Sequence, residues 1–326
     1  LYFKNNIIST EGAGTGNFSA GELTAEANGP YDRKIEINGV KVVGTSAVGG
    51  ATANSDEFIM KVARTFQLMT DPTGVDIDST RINNMITCLD GTTGSHTGYP
   101  TVQLVGWNSP SAYTPSIVDG NNYSGIDTFK STHATVDYVW EYPNGSGAQN
   151  DTIMEVVEHV LHTLSQWGFP GSDSALANNN QTSDLYLAMQ EARSNQSNGA
   201  VIFDISSYSG DFNGDAEYRA LLMREYVFLL VISMWEYFPE FVSGGSLAPE
   251  WNDNARTPYG VATHNPLGYA LYNDHIKKII TKPNVATLRN MYQANNTGKS
   301  GYFAGAGNGN VVLQTSANLT IDSTGE

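Results

Sequence analysis

Residues 155–162 read Glu-Val-Val-Glu-His-Val-Leu-His, a pattern that sorts polar and aliphatic side chains onto opposite sides of a helix. The polar members fall at positions i, i+3, i+4 and i+7, which share one helical face; they are Glu155, Glu158, His159 and His162. The opposite face is formed by aliphatic residues: Val156, Val157, Val160, Leu161 and Leu164. The segment therefore predicts an amphipathic helix that buries its aliphatic side and presents a concentrated set of metal-binding and proton-transferring groups.

The residues around this segment predict where the helix begins and ends. Asp151 and Thr152 are N-cap candidates, and Glu155 follows Thr152 by three positions, as in a capping box. Gly168 and Pro170 indicate the end of the helix, because glycine and proline commonly follow a helical C-terminus.

Composition limits the class of protein. The 326 residues are 40% hydrophobic and 10% aromatic, which indicates a globular chain of one large or two modest domains. A net charge of −16 without a Lys/Arg cluster argues against a nucleic-acid partner. A single cysteine, Cys88, excludes an internal disulfide framework. This single thiol and the abundant Asn, Gly, Ser and Thr favour an extracellular protein, or one on a cell or virion surface.

The longest apolar run extends over residues 226–235, shorter than the roughly 20 residues that cross a bilayer, so no membrane span is expected. The chain starts at Leu1 without a signal peptide, and we expect it to be a mature or partial product of a longer chain.

Periodicity predicts an α+β fold with a helical core flanked by β-rich N- and C-terminal segments. The predicted divisions are a β-rich segment at 1–50, a mainly helical domain at 51–300 and a β-rich tail at 301–326. Besides the helix that contains 155–162, helices are predicted at 56–70, 79–89, 182–194, 214–238, 264–280 and 284–293, and strands at 34–37, 41–43, 101–105 and 135–142.

The polar face of residues 155–162 predicts a zinc site, because zinc enzymes use ligands from one helical face, a further ligand from elsewhere and a carboxylate that accepts a proton from water. In one assignment Glu155 and His159 are ligands and Glu158 is the general base. In the other, His159 and His162 are ligands, and Glu155 or Glu158 transfers the proton.

Both assignments need a third ligand from another segment. Glu225 is the first choice because it precedes the apolar run 226–235, where a partly buried carboxylate would need a partner. The other candidates are Glu217, Glu191 and His264. A competing interpretation makes the polar face a solvated stripe and pairs Glu225 with Arg219, or with Arg224 of a neighbouring copy.

Glu155-x-x-Glu158-His159, followed some sixty residues later by the Glu225 helix, resembles the zincin metallopeptidases, in particular the glutamate-third-ligand branch that includes the lethal-factor-like peptidases. The sequence has Glu155 where the inverted His-x-x-Glu-His motif has its first histidine. The resemblance covers about residues 150–240. It implies hydrolysis of a peptide or protein substrate by a zinc-bound water.

A second ion site is suggested by Asp211, Asn213 and Asp215, whose alternating oxygen ligands resemble the start of a calcium loop. Leu222 stands where an EF-hand needs its bidentate glutamate, which excludes a full EF-hand. An Asx-rich turn that caps the next helix is the favoured interpretation.

Two functions from different classes therefore remain open. The first is a zinc-dependent hydrolase, secreted or surface-associated, that acts as a metallopeptidase. The second is a non-enzymatic subunit of an extracellular filament, surface layer or virion, which self-associates through the strand-forming terminal segments.

Overall fold

The structure is a computed structural model that describes residues 23–27, 31–45, 54–106, 129, 132–135, 138–139, 141, 149–212, 214–242 and 248–293. The predicted α+β class is confirmed: a helical core lies beside a β-sheet built largely from the N-terminal region. Two predicted regions lie outside the described residues. They are the β-rich tail at 301–326 and the part of the N-terminal strand-forming segment before residue 23, both of which are proposed to mediate self-association.

A five-stranded mixed sheet forms one side of the molecule. Its strands, in spatial order, are β1 (Thr24–Ala25), β2 (Tyr31–Ile37), β3 (Val40–Thr45), β4 (Thr101–Val105) and β5 (Tyr138–Val139). The pairs β1–β2 and β2–β3 are antiparallel, whereas the pairs β3–β4 and β4–β5 are parallel. Asn38 and Gly39 both have positive φ, which suits the tight hairpin between β2 and β3. The sheet thus joins strands from both sides of residue 50.

Ten α-helices are found in the described residues: α1 (Asp56–Met69), α2 (Ser79–Leu89), α3 (Gln149–Thr163), α4 (Phe169–Ser172), α5 (Asp184–Ser194), α6 (Ala216–Met234), α7 (Phe238–Phe241), α8 (Pro258–His264), α9 (Pro266–Asp274) and α10 (Val285–Met291). A small hairpin, β6 (Gln196–Ser197) with β7 (Ala200–Val201), follows α5. The predicted helices at 56–70 and 79–89 and the predicted strand at 101–105 match α1, α2 and β4 to within one residue.

Helix α3 lies at the centre of the fold, in contact with β4, β5, α1 and α6. Its predicted aliphatic face is confirmed, since the five side chains concerned are fully buried: Val156, Val157, Val160, Leu161 and Leu164. Helix α6 is buried on nearly all sides from Tyr226 to Ser233, as expected of a helix that is apolar around its whole circumference. The two helices at the centre are therefore those that contain the predicted ligands.

Both predicted ends of the α3 helix are wrong. The helix is already formed at Gln149, so Thr152 and Glu155 lie within its body and form no capping box. At the other end the chain passes through a π-helical turn, Leu164–Gly168, directly into α4. Pro170 lies in the first turn of α4, where backbone N–H groups have no partner within the helix, so the N–H that proline lacks costs no helical hydrogen bond.

The single helix predicted at 264–280 is also wrong, because the chain forms α8, α9 and a 3₁₀ turn over Ile276–Lys278. Pro266 occupies the first turn of α9, and Asn265 before it leaves the helical conformation with φ −140° and ψ 65°. This agrees with the restriction that proline places on the preceding residue.

Gly268 on α9 lies against a buried hydrogen bond in which the Tyr226 hydroxyl donates to Asn265 Oδ1 at 2.6 Å. A Cβ atom at this position would lie 2.1 Å from Asn265 Oδ1 and 2.4 Å from the Tyr226 hydroxyl. We expect Gly268→Ala to lower the free energy of unfolding by about 1–3 kcal/mol through overpacking. Urea denaturation measures the change, and Leu267→Ala, at a side chain 48% exposed, is the control. Equal losses in the two variants would contradict this packing account.

Candidate metal centre

Three predicted site residues meet where α3 packs against α6. Glu158 and His162 lie one turn apart on α3, and Glu225 faces them from α6. One ligand atom from each residue lies within 4.8 Å of the other two. His162 Nε2 and Glu225 Oε2 are 3.4 Å apart. These atoms form a nitrogen and two-oxygen set that two different helices provide.

The spacing of this trio suits a small divalent ion. Ligand atoms that surround zinc tetrahedrally at 2.0–2.2 Å lie about 3.4 Å from one another. The distance between His162 Nε2 and Glu225 Oε2 already has this value. The ligand atom of Glu158 lies within 4.8 Å of the other two, so a small movement of this carboxylate would complete such a set. The residues present therefore fit zinc or a similar transition metal.

The trio lies in the helix interface and not on a solvated surface. The side chain of His162 is 2% exposed and that of Glu225 is 12% exposed. The His162 ring is perpendicular to that of Phe228, with centroids 6.3 Å apart, and Phe228 lies one turn beyond Glu225 on α6. At His162 the structure thus contradicts the solvated-stripe interpretation of the polar face.

The pKa of Glu158 is raised from its ordinary 4.5 to about 7, and burial is the largest cause. The charges of Glu225 and Glu155 contribute to this rise, while His162 and His159 oppose it. Among the described residues, the charged groups that shift this pKa include no lysine or arginine. A bound divalent cation would supply positive charge where the protein supplies only imidazoles.

This pKa predicts how the stability of the metal-free protein depends on pH. Between about pH 4.5 and 7, folded Glu158 holds a proton that the unfolded chain has released. The free energy of unfolding therefore falls as pH rises through this window, by roughly 1–3 kcal/mol from this group. Urea denaturation in EDTA at several pH values measures the slope. Glu158→Gln should flatten it, and equal slopes in the two proteins would contradict the prediction.

The other two residues of the predicted polar face form a pair of their own. His159 Nε2 lies 3.1 Å from Glu155 Oε1, one turn earlier on α3. The His159 ring is perpendicular to the His162 ring, with centroids 5.6 Å apart. The predicted ligands His162 and Glu225 thus meet Glu158, the residue that one assignment made the general base. The other two predicted residues, Glu155 and His159, lie beside the trio.

The other third-ligand candidates lie outside the trio. Glu191 Oε2 accepts hydrogen bonds from Asn265 Nδ2 at 2.7 Å and from the Leu267 amide at 2.8 Å. His264 lies at the C-terminus of α8, with Nε2 3.5 Å from the Ser197 hydroxyl. Glu217 is exposed in the first turn of α6. Of the four candidates, only Glu225 belongs to the trio.

The arginines proposed to pair with Glu225 have other hydrogen-bond partners. Arg219 Nη1 donates to the Phe212 carbonyl at 3.0 Å, and Arg224 Nη1 donates to Gln166 Oε1 at 3.0 Å. The ion pair that Glu225 makes is with His162.

Two residues near the trio are missed by the sequence patterns. The Tyr208 hydroxyl donates to Glu250 Oε1 at 3.4 Å. Burial, followed by the charges of Glu225, Glu250 and Glu158, raises the pKa of Tyr208 above its ordinary value. Burial also raises the pKa of Glu250, and the charge of Glu225 adds to this effect. Both residues lie in irregular segments, where no periodicity could have indicated them.

The suggested calcium loop is described only in part, because Asn213 lies outside the described residues. Asp215 is the N-cap of α6, where its Oδ1 accepts from the amides of Glu217 and Tyr218 at 2.8 and 3.1 Å. Asp215 thus has the role that the helix-cap interpretation gives it, while calcium binding stays a prediction.

Comparison of the chain with protein-family models, with curated proteins and with solved structures finds no match. None of the helices in the described residues combines the length and apolar character needed to cross a membrane.

Proposed function

We propose that this protein is a zinc-dependent hydrolase whose metal is held by Glu158, His162 and Glu225. The observation that supports the proposal is the convergence of one imidazole and two carboxylates within 4.8 Å at the α3–α6 interface. A metal ion there would offset the charge of carboxylates that are otherwise costly to bury.

The donor set favours a catalytic over a structural metal. Structural zinc sites are closed by four protein ligands and commonly use cysteine, whereas catalytic sites use three ligands and leave a position for water. The single cysteine, Cys88, is buried elsewhere, and its thiol donates to the Trp167 carbonyl at 3.1 Å. Zinc with three protein ligands lowers the pKa of its bound water and polarises a substrate carbonyl.

A peptide or protein is the proposed substrate. Support comes from the resemblance of the helix at 155–162 and the later glutamate-bearing helix to zincin metallopeptidases, in which zinc-bound water cleaves an amide bond. The ligand set in this protein differs from the arrangement that the motif implies, because Glu158 takes a ligand position. The proposed setting is outside the cell or at a cell or virion surface.

The proposal is tested on the full chain after chelator treatment and reloading with zinc. We expect one zinc ion per chain by elemental analysis, and cleavage of fluorescence-quenched casein that EDTA abolishes and zinc restores. Glu217→Gln, an exposed acid on the same helix as Glu225, is the matched control and should behave as wild type. Zinc binding without any cleavage would contradict the peptidase assignment. Absence of stoichiometric zinc would contradict the metal site itself.

A further inference from the structure

Glu158 cannot act as a free general base if it is a metal ligand, so the proposed reaction needs another proton acceptor near the trio. Glu155 is engaged with His159 at 3.1 Å within α3. Glu250 comes from a different segment, and its carboxyl contacts the Tyr208 hydroxyl. The charges of Glu225 and Glu158 raise the pKa of Tyr208, and the charge of Glu225 raises that of Glu250, so both side chains are close enough to the trio to interact with its charges.

Backbone hydrogen bonds fix the segment of Glu250 to the segment that precedes Tyr208. The Asp204 amide donates to the Glu250 carbonyl at 2.8 Å, and the Asn252 amide donates to the Ile202 carbonyl at 2.9 Å. Between these two bonds, Phe203 and Trp251 form an antiparallel bridge. Glu250 is therefore held in place by main-chain bonds on both sides of the bridge.

Aromatic packing places this pair of segments against Tyr226 of α6, the residue next to the ligand Glu225. Trp251, which follows Glu250, is 1% exposed and packs on Tyr226 with ring centroids 6.0 Å apart. Phe203 packs on Tyr226 with centroids 6.2 Å apart. Tyr226 directly follows Glu225 on α6. The residues that follow Glu250 and Glu225 in the chain thus contact each other, which holds the segment of Glu250 against α6 next to the ligand Glu225.

We infer that Glu250 is the carboxylate that accepts a proton from the attacking water, and that Tyr208 is the positioning residue that orients it. This inference rests on the proposed function and names the base for that reaction. An O–H bond of water breaks as its proton passes to Glu250, and the water oxygen forms a bond to the carbonyl carbon of the peptide. The proton then passes to the amide nitrogen as the C–N bond breaks, which yields a carboxylic acid and an amine.

The first test compares turnover of quenched casein by zinc-loaded wild type, Glu250→Gln and Tyr208→Phe. Glu250→Gln should keep one zinc per chain and lose about 100-fold or more in kcat, the usual contribution of a general base. Tyr208→Phe should lower kcat about 10-fold with KM unchanged, because it misorients the base without touching the substrate. Tyr259→Phe, at a side chain 83% exposed, and Glu217→Gln are the controls.

A second readout needs no turnover. In cobalt-loaded protein, visible absorption reports azide binding to the metal. Glu250→Gln should tighten azide binding several-fold, because on this inference it removes a negative charge close to the metal-bound water that azide replaces. The Glu217→Gln control should leave azide affinity unchanged.

The possible failures are distinguishable. If wild type binds zinc and cleaves casein while Glu250→Gln has full turnover or unchanged azide affinity, the inference is overturned and the proposed function stands. Loss of zinc from Glu250→Gln also overturns it, since Glu250 would then be a ligand. If wild type itself binds no zinc, or binds zinc without cleaving casein, the inference falls together with the proposed hydrolase.

Discussion

His162→Ala should weaken zinc binding by well over 100-fold. Removal of a residue that only supports a ligand already costs 10–100-fold in metal affinity, and His162 supplies the only nitrogen of the trio. Its side chain is 2% exposed within the helix interface, so truncation to alanine leaves a cavity where the ligand stood. Competition with a chromophoric zinc chelator measures the affinity, and circular dichroism verifies that the variant is folded.

Two control histidines sharpen this test. His264→Ala should leave zinc affinity unchanged, because His264 lies on α8 outside the trio. His159→Ala should weaken binding by no more than about 100-fold, because His159 packs against the His162 ring and pairs with Glu155 but is not one of the trio. A larger loss in His159→Ala than in His162→Ala would reinstate the assignment of His159 as a ligand and contradict the trio.

Zinc should stabilise the folded protein by several kcal/mol. A ligand that binds only the folded state stabilises it by about 4 kcal/mol at a concentration 1,000 times its Kd. For a chain of 326 residues, each kcal/mol raises Tm by roughly 1–2 °C, so saturating zinc should raise Tm by about 6 °C. Thermal unfolding followed by circular dichroism, with zinc and with EDTA, measures the shift.

Glu225→Gln tests whether this stabilisation comes from the trio. The amide has the shape of the carboxylate but is a poor zinc ligand and carries no charge, so most of the Tm shift should disappear. Glu217→Gln on the same helix should retain the full shift. A zinc-dependent rise in Tm that is the same in both variants would show that zinc stabilises the protein from another site.

The fold could be predicted from the sequence where periodicity is strong and local. The aliphatic face of α3 and the bounds of α1, α2 and β4 follow from the spacing of their apolar residues. The ends of α3 could not be predicted in this way. Residues 150–152 continue the helix instead of capping it, and the π turn over Leu164–Gly168 lets the chain pass Pro170 into another helix.

The candidate site could be predicted only as far as one helical face. The offsets i, i+3, i+4 and i+7 place Glu155, Glu158, His159 and His162 together, but they do not determine which of these residues faces Glu225. That choice depends on where α6 crosses α3, which is a matter of tertiary packing. The segments of Tyr208 and Glu250 are joined by a bridge between irregular parts of the chain, and such long-range pairing leaves no local pattern in the sequence.

Anomalous diffraction at the zinc edge, from crystals of the zinc-loaded full chain, tests the central claim most directly. The account predicts a single strong peak 2.0–2.2 Å from His162 Nε2 and from one carboxylate oxygen each of Glu158 and Glu225. A peak at the Glu155–His159 pair with no density at the trio would contradict it, as would the absence of any ordered zinc within the α3–α6 interface.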